Sequence, residues 1–211
     1  MNKDLLYQLA LTQVPKIGLV RAKILMQHFP TAEAIFTTSV KQLAKIESIG
    51  SHAAQQIASF SDFDSCEKEI AFIEKHNIQV FSIHDPQYLR RLLHCYDAPA
   101  LLFFKGQANL NAARVISIVG TRQNREYGKE FCEKLLSDLQ GSGILIVSGL
   151  AFGVDTIAHK NAIKQQLATV AVVAHGLDRI YPPENKALAR QMVKQGGILT
   201  DFISQTKPDK Q

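Results

Sequence analysis

An α/β fold, a doubly wound parallel sheet preceded by a small helical domain, is what this chain predicts, and three observations carry the prediction. From Val115 onward, short apolar runs without polar alternation recur between amphipathic stretches of helical period, as expected of parallel strands joined by helices and covered on both faces. Residues 5–60 show only the helical period, broken at Pro15, Gly18, Pro30 and Gly50. Residues 70–110 hold two apolar runs set between Pro and Gly breaks. The implied organisation is a helical domain over 1–66, a joining segment with short strands over 67–111, and an α/β domain over 112–211.

The helical region contains an internal repeat. Ile17-Gly18 is followed by Ala22 and Leu25, and Ile49-Gly50 by Ala54 and Ile57, so the two segments agree at Gly, Gly plus four and Gly plus seven. This spacing resembles a tandem helix-hairpin-helix module, in which glycine permits a tight turn and the first amides of the next helix face a DNA phosphate. The alternative is two helical hairpins packed through Ile17, Leu25, Ile49 and Ile57 with no DNA contact. In the joining segment a helix runs up to His76, strands are expected over 80–83 and 101–104, and 88–94 lies between them.

The last domain repeats one strand-to-helix scheme three times and closes on a fourth strand. Strand 115–119 leads to helix 127–140, strand 144–147 to helix 156–166, strand 169–174 to helix 184–195, and strand 198–202 closes the series. This is a Rossmann-like arrangement, whose ligand is expected beyond the carboxyl ends of the strands, where loops meet helix N-termini.

Composition excludes several classes. With 46% hydrophobic and 8% aromatic residues the chain is neither disordered nor a coiled coil. Cys66, Cys95 and Cys132 are odd in number and lack CxxC or Cys/His grouping, which argues against a disulfide framework or zinc site and fits a reducing cytoplasm. The first residues make a poor signal peptide and no apolar run reaches membrane-spanning length, so a soluble cytoplasmic protein without membrane contact is expected. The net charge is +5, and the excess lies mainly beyond Asn111, where 13 basic face 9 acidic residues. Such a surplus suits an anionic partner such as nucleic acid.

Three loops that follow strands carry the candidate site. In Gly120-Thr121-Arg122, with Gly128 further on, glycine allows close approach, the hydroxyl can donate, and the guanidinium can grip a phosphate through two bonds; the alternative is a surface arginine after a sharp turn. In the run from Ser148 to Asp155, Ser148, Gly149, Ala151 and Gly153 are small residues that would expose backbone amides before a helix, an anion-binding nest. Asp155 is expected to cap that helix, and His159, one turn on, could pair with it. In the third loop, Gly176 opens the strand end and His175 could stack on a base or donate to phosphate, while Tyr181 packs before Pro182 and Pro183. His175 and Asp178 could form a general-base pair, but no nucleophile or second acid sits at suitable spacing, so catalysis, a cofactor and a metal are not expected. Neither GxGxxG nor GxxxxGK[ST] is present, which removes the usual support for dinucleotide or triphosphate binding.

The ordered runs VISIVGTRQNREYG, IVSGLAFGVDTIAHKNAI, TVAVVAHGLDRIYPPEN and GGILTDF resemble the motif series of the DprA/Smf family of DNA-processing proteins over residues 115–202. The resemblance implies a cytoplasmic, non-catalytic protein that binds and shields single-stranded DNA and helps load the RecA recombinase in natural transformation or recombination. It implies that Arg122 contacts the phosphate backbone, with Gly120, Thr121, Ser148, Gly149 and Gly153 shaping the pocket. Members of this family usually continue beyond the point matching Gln211, so this chain would lack the C-terminal part, and with it much of the homodimer surface and the RecA contact. Two other readings stand beside it. One is a nucleotide hydrolase related to lysine-decarboxylase-like proteins, whose PGGxGT signature is absent here. The other is a protein-binding adaptor with the α/β domain as scaffold, which an Arg122 held in an internal salt bridge would favour.

Overall fold

The computed structural model describes residues 3–123 and 126–208, and the chain divides into two compact units, Met1–Leu102 and Phe103–Gln211. Asn124 and Arg125 of the first motif, and the last three residues of the polar tail, lie outside the described residues.

The first unit begins with six helices: α1 (Lys3–Gln13), α2 (Leu19–His28), α3 (Ala32–Thr37), α4 (Val40–Leu43), α5 (Gly50–Ala58) and α6 (Phe63–Lys75). Polar side chains start three of them, with Thr31, Ser39 and Asp62 accepting from the amides of Ala34, Gln42 and Ser65. The two repeat segments form α2 and α5 with their preceding turns, and Ile17, Ala22, Leu25, Ile49, Ala54 and Ile57 are all buried. The left-handed residue common to both turns is not the repeat glycine but the residue two before it, Lys16 (φ 69°) and Ser48 (φ 67°). Gly18 itself is extended, at φ −84° and ψ −179°. Arg21 joins the two turns, its guanidinium donating to the carbonyls of Lys16 and Ser48, each at 2.8 Å. Strand β1 (Gln79–Ser82) and the short helix α7 (Arg90–Leu93) follow, and the buried Tyr88 donates its hydroxyl to the Pro99 carbonyl at 2.6 Å.

Strand β2 (Leu101–Gly106) carries the chain from the first unit into the second. There the order is β3 (Val115–Ser117), α8 (Glu126–Asp138), β4 (Leu145–Ser148), α9 (Val154–Lys164), β5 (Thr169–Val172), a 3-10 turn at Pro183–Asn185, α10 (Lys186–Gln195) and β6 (Gly197–Thr200). The six strands form one sheet in the order β1-β2-β6-β5-β4-β3. Strands β3 to β6 are mutually parallel, as the sequence pattern predicts, while β2 runs antiparallel to β6 with Phe103 opposite Thr200 and Gly106 opposite Gly197. The Phe104 ring lies where a Gly197 side chain would stand, which accounts for a glycine there.

The register of the strands places the crossover helices. Ile146 pairs with Thr169 and Ala171 with Ile198, so these residues share a face. Ile146 packs with Cys132 and Leu136 of α8 and Ala158 and Ala162 of α9, and Ala171 and Ile198 pack with Leu188, Ala189 and Met192 of α10. All three crossover helices therefore cover one face, because the strands β3 to β6 lie side by side in chain order and right-handed crossovers then return on the same side each time. On the opposite face Leu145, Val170 and Leu199 are buried and Val172 is 47% exposed. Leu136 lies at the centre of the covered layer, fully buried, so Leu136→Ala is expected to lower stability by about 2–5 kcal/mol, measured by urea denaturation.

Candidate nucleic-acid interface

Parallel strands bring their carboxyl ends to one edge of the sheet, and the segments leaving β3, β4, β5 and β6 meet there around a cavity of about 490 Å³. Its lining includes Arg122, Gly149, Ala151 and His175 of the sequence candidates, together with Phe152, Tyr181, Phe202, Thr206 and Lys207. Among the described residues no carboxylate lines it. Arg122 is exposed and has no hydrogen-bond or ion-pair partner among the described residues.

The remaining candidates hold the loops instead of lining the cavity. Gly120 lies against Val154, whose side-chain carbons would stand 2.6 Å from an added Cβ. The Thr121 hydroxyl accepts from the Gln123 amide at 3.1 Å and so folds its own loop. Ser148 is buried and donates to the Ile118 carbonyl at 2.7 Å, fixing the exit of β3 against that of β4. Gly153, at φ 79°, passes beneath the first loop: an added Cβ would fall on the Thr121 carbonyl oxygen and 2.7 Å from that of Arg122. Gly128 lies inside α8 with open space around it, apart from the cavity.

Four expectations are corrected by the geometry. The amides of Gly149 and Ala151 do not form an open anion nest, because Asp155 Oδ2 accepts from both, at 3.2 and 3.3 Å. Asp155 thus organises the loop ahead of its helix and leaves His159 without a carboxylate partner. His159 instead contacts Thr169 Oγ1 through Nδ1 at 2.7 Å, is fully buried, and burial pushes its pKa down to about 4. His175 is likewise no base-stacking surface. It is buried, with Nε2 accepting from the Tyr181 amide at 3.3 Å and Nδ1 2.9 Å from the Gly176 carbonyl. Since Nε2 accepts, Nδ1 carries the proton and donates to that carbonyl. The imagined His175–Asp178 pair does not form: Asp178 Oδ2 accepts from Arg179 Nη2 at 2.7 Å, and Oδ1 accepts from the Gln205 amide at 2.9 Å. Burial acts to raise the pKa of Asp178, but the Arg179 and Gln205 hydrogen bonds and the Arg179 charge hold it below the ordinary value.

Sequence reasoning missed the aromatic contribution. Phe152, Tyr181 and Phe202 are 46%, 50% and 40% exposed and all line the cavity. The available signal was an aromatic residue in each of the three segments that leave β4, β5 and β6. It also missed Asn185, which is buried and donates to the Leu150 carbonyl and Thr156 Oγ1 at 2.9 and 2.8 Å, tying the 3-10 turn to the β4 exit. Among the described residues no group of three or more His, Cys, Asp or Glu gathers as a metal would require, and no helix is long and apolar enough to cross a membrane.

Comparison with known proteins agrees with this architecture. Residues 79–211 match the family model of DNA recombination-mediator protein A, and residues 5–70 match a helix-hairpin-helix motif. The chain is 32% identical over 216 residues to Protein Smf of Synechocystis, covering 99% of this chain and 54% of that protein. It is 39% identical over 142 residues to the DNA processing protein DprA of Bacillus subtilis, covering 67% and 48%. Among solved structures, DNA processing protein A from Streptococcus pneumoniae superposes with a TM-score of 0.77 at 27% identity, over 100% of this chain and 71% of that one. The DNA processing protein A of Helicobacter pylori, described for a single-stranded DNA binding mode, gives 0.54 at 29% identity over 64% and 61%. The chain spans about half the length of these two curated relatives. On the family match, which takes in most of both the joining segment and the α/β unit, the chain belongs to the DNA recombination-mediator protein A (DprA/Smf) family.

Proposed function

We propose that this protein binds single-stranded DNA without catalysis, through the cavity at the carboxyl edge of β3 to β6, with Arg122 as the principal phosphate contact. The observation that carries the reading is the exposed Arg122, without a partner among the described residues, in a cavity that has exposed aromatic rings and, among the described residues, no carboxylate. A cation on the backbone and rings on unpaired bases are the two components of sequence-tolerant single-strand binding. The same observation removes the support that an internal ion pair of Arg122 would have lent the adaptor reading. A non-catalytic role accords with His175 and Asp178 being engaged by backbone groups and Arg179. The binding described for the Helicobacter pylori relative supports the same assignment by kinship.

In the test, a labelled thymidine oligonucleotide and a duplex control are titrated with the protein across a salt series. The single strand binds more tightly than the duplex. Arg122→Ala weakens it by about ten- to a hundredfold and reduces the salt slope by roughly 0.7, the share of one phosphate contact. Equal affinities for wild type and Arg122→Ala would remove the assignment. Family kinship supports, as further parts of the proposal, a cytoplasmic protein that can pair with a second copy and assist RecA loading. Light scattering of the purified protein, and RecA filament formation on a strand it has covered, test those two steps.

A further inference from the structure

The segment that follows β6 is fastened to the segment that follows β5 by contacts unrelated to the core. The Gln205 amide donates to Asp178 Oδ1 at 2.9 Å, and the Gly176 amide donates to the Thr206 carbonyl at 3.2 Å. An added Cβ on Gly176 would strike the Ile203 carbonyl oxygen and lie 2.7 Å from Ser204 Cα, so the segment lies directly on this glycine. Arg179 grips the other carboxylate oxygen of Asp178 through Nε and Nη2, at 3.1 and 2.7 Å, which leaves Oδ1 turned to the Gln205 amide. The segment so held delivers Thr206 and Lys207 to the wall of the cavity that contains Arg122. Lys207 is exposed and, like Arg122, has no partner among the described residues.

We infer that Lys207 is a second phosphate-binding cation of this cavity, and that Asp178, held by Arg179, is the positioning residue that latches the segment and so sets where Lys207 stands. The inference rests on the single-strand reading above. It assigns the Gly176-Leu177-Asp178 turn to holding the protein's own chain and not to the nucleic acid. The occupant is a phosphodiester chain long enough to meet two cations, and no base identity enters.

The latch and simple electrostatics predict opposite signs for one substitution. Removing the Asp178 carboxylate makes the protein more positive, and through charge alone this tightens DNA binding. If Asp178 positions Lys207, the same removal weakens binding. The probe is the labelled thymidine oligonucleotide, read by anisotropy across a salt series. Lys207→Ala is expected to weaken binding about five- to tenfold and to lower the salt slope by roughly 0.7–1. Asp178→Ala reproduces both effects although no cation is lost, and Asp178→Asn, which keeps an oxygen for the Gln205 amide, restores most of the affinity. The double variant Asp178→Ala/Lys207→Ala binds no more weakly than Lys207→Ala, because the two act through one contact. Lys164→Ala, an exposed charge at the far end of α9, serves as the charge-matched control and leaves the salt slope unchanged. Faster hydrogen exchange at the Gln205 amide in Asp178→Ala reports release of the segment directly.

Tighter or unchanged binding by Asp178→Ala, with Arg122→Ala still impaired, overturns the latch and leaves the single-strand reading intact. An unchanged salt slope in Lys207→Ala overturns the second cation in the same way. Absence of single-strand binding by the folded wild-type protein overturns the reading, and the inference with it.

Discussion

Gly153→Ala is expected to lower stability by about 3 kcal/mol and to weaken single-strand binding at least about tenfold, from a position that does not line the cavity. Gly153 sits at φ 79° and ψ −129°, a conformation that side chains rarely adopt, so alanine there is strained before any contact is considered. The contact makes matters worse. The added methyl would fall on the Thr121 carbonyl oxygen and come within 2.8 Å of the Arg122 carbonyl carbon, both backbone atoms that cannot turn aside as a side-chain end could. Relief requires the first loop to lift, which breaks the hydrogen bond from the Val154 amide to Thr121, 3.2 Å in the native fold, and carries Arg122 away from the wall it shares with the other loops. Urea denaturation and oligonucleotide anisotropy on the same preparation check the two effects. Gly128→Ala is the matched control: Gly128 lies within α8 with nothing near its Cβ, and alanine there is expected to stabilise the protein by about 0.5–1 kcal/mol and leave binding unchanged. A Gly153→Ala protein as stable and as active as wild type would show that the first and second loops are not coupled through this glycine.

Acidification is expected to remove about 3 kcal/mol of stability through His159 alone. The ring is fully buried, Nδ1 is occupied by Thr169, and Nε2 has no partner, so nothing compensates a second proton. Burial holds its pKa at about 4, against 6.5 for the unperturbed group. The folded value is the depressed one. Above pH ~6.5 the ring is neutral in both states and has no pH-dependent effect. As pH falls below that value the unfolded chain takes up the proton first, and stability declines by about 1.4 kcal/mol per pH unit until the folded ring titrates near 4. His159→Asn keeps a polar group toward Thr169 and does not titrate. The difference in urea-derived stability between wild type and this variant should therefore shift against the wild type as pH falls from about 6.5 to 4, and stay constant above that window. A difference independent of pH would mean that the ring is protonated, or hydrated, inside the fold.

Much of the second unit was legible from sequence because its signals are local. Strand-length apolar runs without alternation mark buried parallel strands, and the loops after Val119, Ser148 and Ala174 could be assigned to one sheet edge by that fact alone. The tandem repeat of the first unit was equally readable from its glycine spacing, and its burial pattern follows the repeat. Residue type also singled out Arg122, since a cation after a sharp turn at a strand end has few internal roles. What sequence left open depends on which atoms meet across distant segments. Small residues from Ser148 to Gly153 announce available amides, but only the folded loop shows that Asp155 takes two of them. His175 advertises a ring for a base, yet the Tyr181 amide and Gly176 carbonyl use both nitrogens. That the three crossover helices share one face follows from strand order, which hydrophobic period does not encode. The chain by itself determined the α/β class, the repeat, the family motifs and the arginine, all carried by residue type at short spacing. Tertiary structure alone decided which of the marked residues face the cavity, which hold the loops around it, and that Phe152, Tyr181, Phe202 and Lys207 join Arg122 there, because convergence of four separate loops is a property of the sheet edge and of no single segment.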